Sequence, residues 1–300
     1  MHIKKSIGSV LFDIFNHLLQ ILLILFFVYP IWYVFSVSIS SMDAVAMDKI
    51  VFHPIGFSLK AYKDVLRDSS LVTAYRNTIF YAAAYVVIVL FFTSLTAYPL
   101  TSKTFRGKKF FNVFFIVPMF LNAGMIPFYM LIKELHLIDN PLAILLPSAL
   151  TGFNLVIFRT YFSGLPYELR ESAMIDGAGH FRILFRIIVP LSLPIIMSIA
   201  MFSIVAQWNN FREPLLFLNK QDLWPIQLTL RRLIINNEMT GSDMMQAANI
   251  ATGDNSINRV GYYEAIKMAA IMVSIGPIVL VYPFVQKYFL KGMLVGAVKG

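Results

Sequence analysis

Long apolar stretches without a charged residue dominate the chain. Six charge-free runs are long enough for a helix to cross a hydrocarbon core about 30 Å thick, which takes roughly 18 residues or more. We predict one membrane-spanning helix in each run, and therefore an all-α integral membrane protein with six transmembrane helices. The runs are 14–42, 77–102, 110–132, 140–158, 187–211 and 268–286.

Proline occurs inside these runs, and it disfavours a helix in water because it removes a backbone donor. Inside a bundle in lipid, neighbouring groups can satisfy the freed carbonyl. We therefore predict kinks in the spans rather than breaks. The prolines concerned are Pro30, Pro118, Pro127, Pro147, Pro194, Pro277 and Pro283.

The composition agrees with a membrane protein and excludes other classes. Hydrophobic residues make up 58% of the chain and charged residues 14%, whereas soluble domains have about 25% charged residues. The chain has no cysteine, which excludes disulfides and thiolate metal sites. The formal charge of +9 comes without a basic cluster interleaved with aromatic residues, so we predict a membrane-lipid partner and no nucleic acid.

Basic residues predict the orientation of the spans. Residues 103–109 form a tight basic turn between the second and third runs, whereas the segments 41–76 and 212–267 mix both signs. Positive residues in short loops favour the cytoplasmic side. We expect a bacterial inner-membrane protein with both termini in the cytoplasm.

The loop between the fourth and fifth runs is predicted to carry the mechanism. Burying its five charges at about 2.5 to 3.5 kcal/mol each would be prohibitive, so residues 160–185 should lie in water. A surface helix over about 166–180 is predicted, because Pro166 suits a first turn and Gly177 with Gly179 provides a stop. Its apolar face is predicted to contain Leu165, Leu169 and Ala173. Spacing alone also fits a helix that merely joins two spans.

The residues of this loop resemble a known signature. The stretch 171–178 followed by 187–190 resembles the cytoplasmic EAA motif of permease subunits from binding-protein-dependent ABC importers. Ser172 replaces the middle Ala and Val189 replaces a Leu, and both changes are conservative. The matching positions are Glu171, Ala173, Gly177, Ile187 and Pro190. Segments 165–169, 208–209, 122–127 and 288–300 look like the carbohydrate-uptake branch, close to oligosaccharide and polysaccharide permeases.

The resemblance implies the type I importer permease fold, with an N-terminal part at 1–72, a permease core at 73–290 and a cytoplasmic tail at 291–300. It also implies a coupling helix that docks in a cleft of a separate ATPase, to which Glu171 would supply a charge-assisted contact. The implied partners are a homologous second permease, two copies of the ATPase and an extracytoplasmic solute-binding protein. ATP and Mg would be used by the ATPase, with no cofactor bound by this chain. The implied coupling residues are Glu168, Glu171, Ser172, Ala173, Asp176, Gly177 and Ala178.

Two further groups of residues are candidates for contact with cargo or partner. Amides and an aromatic ring suit the hydroxyls and the apolar face of a sugar, although packing between helices also accounts for polar groups in spans. The predicted substrate path contains Asn122, Asn154, Gln207, Trp208, Asn209 and Asn210. By position in maltose-type relatives, a loop contacting the binding protein is implied at Asn219, Lys220, Gln221 and Asp222.

Three other functions remain as alternatives. An ion-coupled secondary carrier usually needs an ionisable residue at membrane depth, and the centres of the runs have none. A membrane enzyme is disfavoured because no HExxH, G-x-S-x-G or intramembrane carboxylate pair occurs. No phosphate-binding G-x-x-x-x-G-K-[ST] loop occurs either, so the energy must come from another polypeptide. An importer permease for a non-sugar solute is the third alternative.

Overall fold

A computed structural model describes residues 7–102, 104–121, 123–235 and 260–280 of the 300-residue chain. The regular structure in those residues is helical, without β-strands. A 3-10 turn lies at Val117–Met119, another at Gln221–Leu223, and a π turn at Leu184–Ile188. The helices in chain order are α1 (Ile7–Ser38), α2 (Met42–Ala46), α3 (Lys60–Arg67), α4 (Ser69–Thr101), α5 (Lys108–Ile116), α6 (Met125–Glu134), α7 (Leu142–Leu145), α8 (Gly152–Ser163), α9 (Glu168–Ile175), α10 (His180–Ile183), α11 (Val189–Leu191), α12 (Leu193–Trp208), α13 (Arg212–Phe217), α14 (226–235) and α15 (Val260–Leu280).

Three of the described helices, α1, α4 and α15, are long and apolar enough to cross a membrane. A fourth crossing results if the pair His180–Leu191 and Leu193–Trp208, bent by 83°, is counted as one span. Residues 14–38 of the first charge-free run and 77–101 of the second are thus confirmed as continuous helix, as is the described part of the sixth. Most of the fifth run lies in the bent pair.

The prediction of kinks rather than breaks is wrong in the third, fourth and fifth runs. In the fifth run the helix breaks at Ser192, where the two parts are bent by 83°. After α5 the chain passes through the 3-10 turn that contains Pro118 and resumes a helix only at Met125. Pro147 lies in the gap between α7 and α8. A proline ring both removes a donor and clashes with the preceding turn, and the left-handed backbone of Gly124, at φ 85°, adds a second interruption before α6. Each of these runs is therefore a pair of shorter helices.

The other described prolines for which a kink was predicted lie within helices. Pro30 lies inside α1 and Pro277 inside α15, as predicted. Pro127 and Pro194 occupy the first turns of α6 and α12, where no intrahelical donor is lost. Pro283 lies outside the described residues.

The described residues form two compact units. The first contains residues 7–68, 230–235 and 260–275, and its small core is built by Val37, Ala44 and Ile50. Along α1 only the last three residues are buried, so its apolar side chains are available to lipid. Within this unit the Tyr262 hydroxyl donates a hydrogen bond to a carboxylate oxygen of Asp64 at 2.8 Å.

The second unit contains residues 69–229 and 276–280, and α4 lies at its centre against α8 and α12. Polar Thr78, Thr93 and Ser94 of α4 are buried, while large apolar residues such as Phe80 and Val87 are exposed. This distribution is the reverse of a soluble helix and is typical of helix packing in lipid. It confirms the interpretation that the small polar residues of this span serve helix contacts.

Candidate coupling and transport sites

The predicted surface helix is α9, whose eight residues lie inside the predicted range 166–180. Pro166 precedes it and Tyr167 is its N-cap residue. Glu168 and Glu171 both lie in its first turn, where the positive end of the helix dipole stabilises a carboxylate. The start of the helix therefore follows from residue types that favour a helix N-terminus.

The end of α9 is fixed by a Schellman turn. Gly177 has φ 73°, in the left-handed region where glycine is favoured. The Ala178 N–H donates to the Ala173 carbonyl at 2.9 Å, and the Gly177 N–H donates to the Met174 carbonyl at 3.0 Å. The predicted stop at Gly177 is thus present, whereas Gly179 has extended backbone with φ −71° and caps the start of α10.

Most of the implied coupling residues form an exposed surface on α9. Ala173 is buried and Ala178 is half-buried, and the others are exposed, namely Glu168, Glu171, Ser172, Asp176 and Gly177. Two apolar side chains accompany them: Ile175 is 86% exposed and Phe181 is 69% exposed. Large apolar side chains exposed near acidic groups suit a surface that another protein covers. The individual coupling roles stay predictions.

Arg170 fastens α9 to the body of the second unit. One terminal nitrogen donates to the Thr101 hydroxyl of α4 at 2.6 Å, and the other donates to the Phe162 carbonyl of α8 at 2.7 Å. The guanidinium carbon lies 5.5 Å from the centre of the Tyr98 ring, within the range of a cation–π interaction. Burial lowers the pKa of Arg170 from its ordinary value, while Tyr98 and Tyr167 act to raise it. The link therefore rests on a buried charge with neutral partners.

This burial corrects two expectations for the loop. Arg170 is only 4% exposed, so the prediction that all five charges of the loop lie in water is wrong for this residue. The buried face of α9 contains Arg170 and Ala173, whereas Leu169, predicted on the buried face, is 38% exposed. The physical reason is that α4 and α8 offer an acceptor each, which a leucine cannot use. Helical spacing is consistent with a shared face for Arg170 and Ala173, because residues three apart lie on the same side of a helix.

The predicted substrate-path residues have different surroundings. Asn122 lies outside the described residues. Asn154 is half-buried in the first turn of α8, where its backbone N–H donates to the Thr151 hydroxyl at 3.2 Å. Trp208 is buried, with its ring 6.3 Å from that of Tyr75. Asn209 donates from its side chain to the Val205 carbonyl of its own helix at 3.0 Å.

Gln207 and Asn210 come together with a residue that the sequence reasoning missed. The Asn210 amide donates to Glu213 at 2.9 Å and to the Gln207 side chain at 3.4 Å. Glu213 also shares a hydrogen bond with Ser148. These contacts give Gln207 and Asn210 a packing role inside this chain, and their contact with substrate stays a prediction. Glu213 lies two residues after the end of the fifth charge-free run, so no pattern based on the runs marked it.

The implied binding-protein loop is held against the N-terminal end of α4. Asn77 donates to the Asp222 carbonyl at 2.7 Å and to the Trp224 carbonyl at 3.2 Å, and the Tyr81 hydroxyl donates to the Leu223 carbonyl at 2.9 Å. The Thr78 hydroxyl accepts from the Ile226 N–H at 2.8 Å. These side chains hold residues 218–226, here called the outer strap, in a defined position.

The implied loop residues also contact the segment between α6 and α7. The Asp139 carboxylate accepts from the backbone N–H of Asn219 and, at 3.1 Å, from that of Lys220. Partial burial acts to raise the pKa of Asp139, but these hydrogen bonds and the charge of Lys220 prevail and hold it below its ordinary value of 3.8. Gln221 and Asp222 lie in the 3-10 turn that follows and are exposed. The site is thus preformed and reaches solvent.

Comparisons with known proteins agree with this architecture. Residues 70–295 match the family model described as binding-protein-dependent transport system inner membrane component. The chain is 37% identical over 271 residues to protein LplC of Bacillus subtilis (strain 168), covering 90% of this chain and 89% of LplC. It is 34% identical to the polygalacturonan/rhamnogalacturonan transport system permease protein YtcP of the same organism, covering 97% and 99% of the two chains.

A solved structure extends the likeness to three dimensions. A chain from a bacterial ABC transporter involved in the import of the acidic polysaccharide alginate superposes with a TM-score of 0.85. The two chains are 33% identical, and the superposition covers 96% of this chain and 100% of that one. The all-helical importer permease fold implied by the signature is thereby confirmed.

Proposed function

This chain belongs to the family of binding-protein-dependent transport system inner membrane components, and on that basis we propose a coupling mechanism for it. It is a permease subunit of an ABC importer for a sugar or oligosaccharide, a transport component and not an enzyme. In the proposal, residues 160–185 receive the movement of a separate ATPase. That movement opens a path by which the cargo enters the cell.

The observation that carries the proposal is the arrangement of α9. It exposes two glutamates and Ile175 on the side away from the core, and Arg170 fastens its other side to α4 and α8. A short helix held in this way moves as a rigid body with the helices behind it. A partner that displaces α9 therefore displaces two spans without needing any chemistry in this chain.

The proposed assembly follows from the family. A homologous second permease completes the path, two copies of an ABC ATPase bind ATP and Mg, and an extracytoplasmic binding protein delivers the cargo. This multi-pass permease then lies in a bacterial inner membrane with both termini in the cytoplasm. That orientation puts α9 beside the ATPase and the outer strap, with Asn219 to Asp222, on the side of the binding protein.

The proposed cargo is an oligosaccharide derived from a polysaccharide. YtcP is named for the transport of polygalacturonan and rhamnogalacturonan, and the solved relative belongs to an alginate importer. Both relatives are thus associated with acidic polysaccharides. The first cargoes to test are therefore oligogalacturonates and oligoalginates. Arabino-oligosaccharides and neutral malto-oligosaccharides are the comparison set.

The test of coupling uses the whole complex in proteoliposomes. We expect Glu171→Lys to lower both cargo uptake and cargo-stimulated ATP hydrolysis about tenfold or more, because repulsion replaces a charge-assisted contact. The matched control is Glu134→Lys, which makes the same charge reversal at an exposed position of α6 and should leave both rates unchanged.

Binding of the ATPase separates the possible outcomes. Loss of co-purified ATPase in Glu171→Lys, but not in Glu134→Lys, supports docking at α9. Wild-type uptake and hydrolysis in Glu171→Lys would refute the coupling role. Uptake of arabino-oligosaccharides or malto-oligosaccharides by the wild-type complex, without uptake of either acidic oligosaccharide, would refute the proposed cargo. The coupling test would then use the sugar that is transported.

A further inference from the structure

A cavity of about 430 Å³ lies behind α9, on the side facing the C-terminal end of α4. Its volume is within the range of small-molecule sites. No carboxylate is among the described residues that line it, although hydroxyl, imidazole and guanidinium groups all contribute. The polar lining consists of Tyr98, Ser102, Thr104, Tyr167, Arg106, Arg170 and His180.

Positive charge is concentrated at this cavity. Arg106 and Arg170 both line it, and the ammonium of Lys108 donates to the Ser102 carbonyl at 3.4 Å beside it. The C-terminal end of α4 opposes them with about half a negative charge from the helix dipole. Two guanidinium groups and one ammonium exceed that charge, so the cavity has a net positive surrounding.

The environment of the buried Arg170 side chain favours an anion in this cavity. Both hydrogen-bond acceptors of its side chain, Thr101 and Phe162, are neutral. Its buried Nε has no hydrogen-bond partner among the described residues. A buried cation without a counter-ion is costly, and an anion held in the adjoining cavity offsets part of that cost.

The rest of the lining is apolar. Leu95, Phe105, Met174, Phe181 and Leu184 give the cavity an apolar surface beside its charged and hydroxyl groups. We propose that the cavity binds a phosphate ester whose other part is apolar. Several hydroxyl donors and more than one cation suit the oxygens of a phosphate group.

The position of the cavity gives binding a consequence for coupling. Tyr98 and Ser102 belong to the end of α4, whereas Tyr167, Arg170 and Met174 belong to α9 and its cap. An occupant therefore bridges the two elements that Arg170 otherwise joins. Two sources fit the chemistry: a soluble phosphate ester, or the headgroup region of an anionic phospholipid.

Direct binding measurements on the assembled importer test the proposal. The complex is placed in phosphatidylcholine nanodiscs and titrated with phenyl phosphate, with phenol as the uncharged control. In a second arm, nanodiscs contain phosphatidylglycerol, and native mass spectrometry counts the retained lipid. Arg106→Gln removes an exposed cation of the cavity, and the matched variant Lys109→Gln removes an exposed cation of the same turn that does not line it.

The two arms distinguish the sources. Phenyl phosphate binding that weakens about tenfold in Arg106→Gln and is unchanged in Lys109→Gln supports a soluble ester. Retention of phosphatidylglycerol that is lost only in Arg106→Gln supports a lipid. Competition between the two probes shows that they share the site. Binding of neither probe, or equal loss in both variants, overturns the proposal, and because no transport is measured this failure is separate from that of the coupling role.

Discussion

At its N-terminal end α4 holds the backbone of the outer strap with the side chains of Asn77, Thr78 and Tyr81, whereas at its C-terminal end it is joined to α9 by the charged side chain of Arg170. The contacts that α4 makes with the strap are several, and all are between neutral groups. The contact with α9 is charged and buried, and a cavity lies beside it.

This difference predicts how each end of α4 responds when one of its contacts is removed by mutation. Loss of one neutral hydrogen bond at the strap leaves the others in place, so the strap keeps its position. Loss of Arg170 removes the hydrogen bonds to both α4 and α8 at once. We therefore expect the N-terminal end to tolerate single substitutions and the C-terminal end to transmit them to transport.

The strongest test of this comparison is Arg170→Ala. Removing hydrogen bonds from a charged group leaves the Thr101 hydroxyl and Phe162 carbonyl without their donor, at a cost of about 2 to 4 kcal/mol. We expect the complex to assemble while uptake per ATP hydrolysed falls at least about tenfold. The measurement is simultaneous uptake and hydrolysis in proteoliposomes.

Arg182→Ala is the control for this variant. Arg182 is an exposed basic residue of the same loop, so its removal tests the effect of charge without the anchor. It should keep the wild-type ratio of uptake to hydrolysis. An unchanged ratio in Arg170→Ala would mean that α9 is held by contacts other than this side chain, and the contrast between the two ends would disappear.

The second test changes the end of α9 without touching its charges. Gly177→Ala places a side chain at φ 73°, at a cost of about 1 to 2 kcal/mol, and should lower uptake several-fold. Gly179→Ala is matched, because a Cβ has open space at both positions while the backbone of Gly179 is extended. Transport assays of the pair measure the left-handed turn alone, and equal rates would show that the turn is dispensable.

Much of the region around α9, at the C-terminal end of α4, could be predicted from the sequence because its signals are local. Pro166, the glutamates of the first turn and Gly177 act within a few residues, and they placed α9 and its end. The prediction that Arg170 lies in water was wrong because local sequence does not reveal its two hydrogen-bond acceptors. Thr101 is remote in sequence, and Phe162 lies across a turn. Its charge alone predicted that the side chain lies in solvent.

The charge-free runs show the same limit in the spans. A count of charges found α1 and α4, each of which continues as one helix through an internal proline, Pro30 or Pro99. It did not predict that Pro118 with Gly124, or Pro147, would end a helix, because such an outcome depends on whether neighbouring groups donate hydrogen bonds to the freed carbonyls. The outer strap was located by family position, but Asp139 and Asn77, which hold it, come from distant segments and carried no local signal.

A third, smaller effect is expected at the N-terminal end of α4 from Asn77→Ala. The Asp222 and Trp224 carbonyls lose one donor, at a cost of about 1 kcal/mol, while Tyr81 and Thr78 keep their contacts. Hydrogen exchange of residues 218–226 should accelerate about fivefold, with binding-protein affinity falling by a similar factor. Arg76→Ala, which removes an exposed neighbour on the same helix, should change neither.

A double variant tests whether the contacts that hold the strap act independently. If the strap is held by several independent contacts, Asn77→Ala with Tyr81→Phe should add their separate effects. A loss far larger than the sum would show that the strap, like α9, depends on a single cooperative contact. That result would remove the distinction between the two ends of α4.

The smallest effect is expected from the charge of Asp139. Because its pKa is lowered in the folded chain, its contribution is complete above the ordinary value of 3.8 and is lost as the pH falls through the lower folded pKa. Exchange of the Asn219 and Lys220 amides should therefore show no change in protection between about pH 5 and 7, after correction for intrinsic rates. Asp139→Asn keeps the shape and tolerates its φ of 59°, so it should speed exchange only about two- to fivefold. A loss of protection already at pH 6 in the wild type, with Asp139→Asn insensitive to pH, would show that the strap depends on one titrating charge after all.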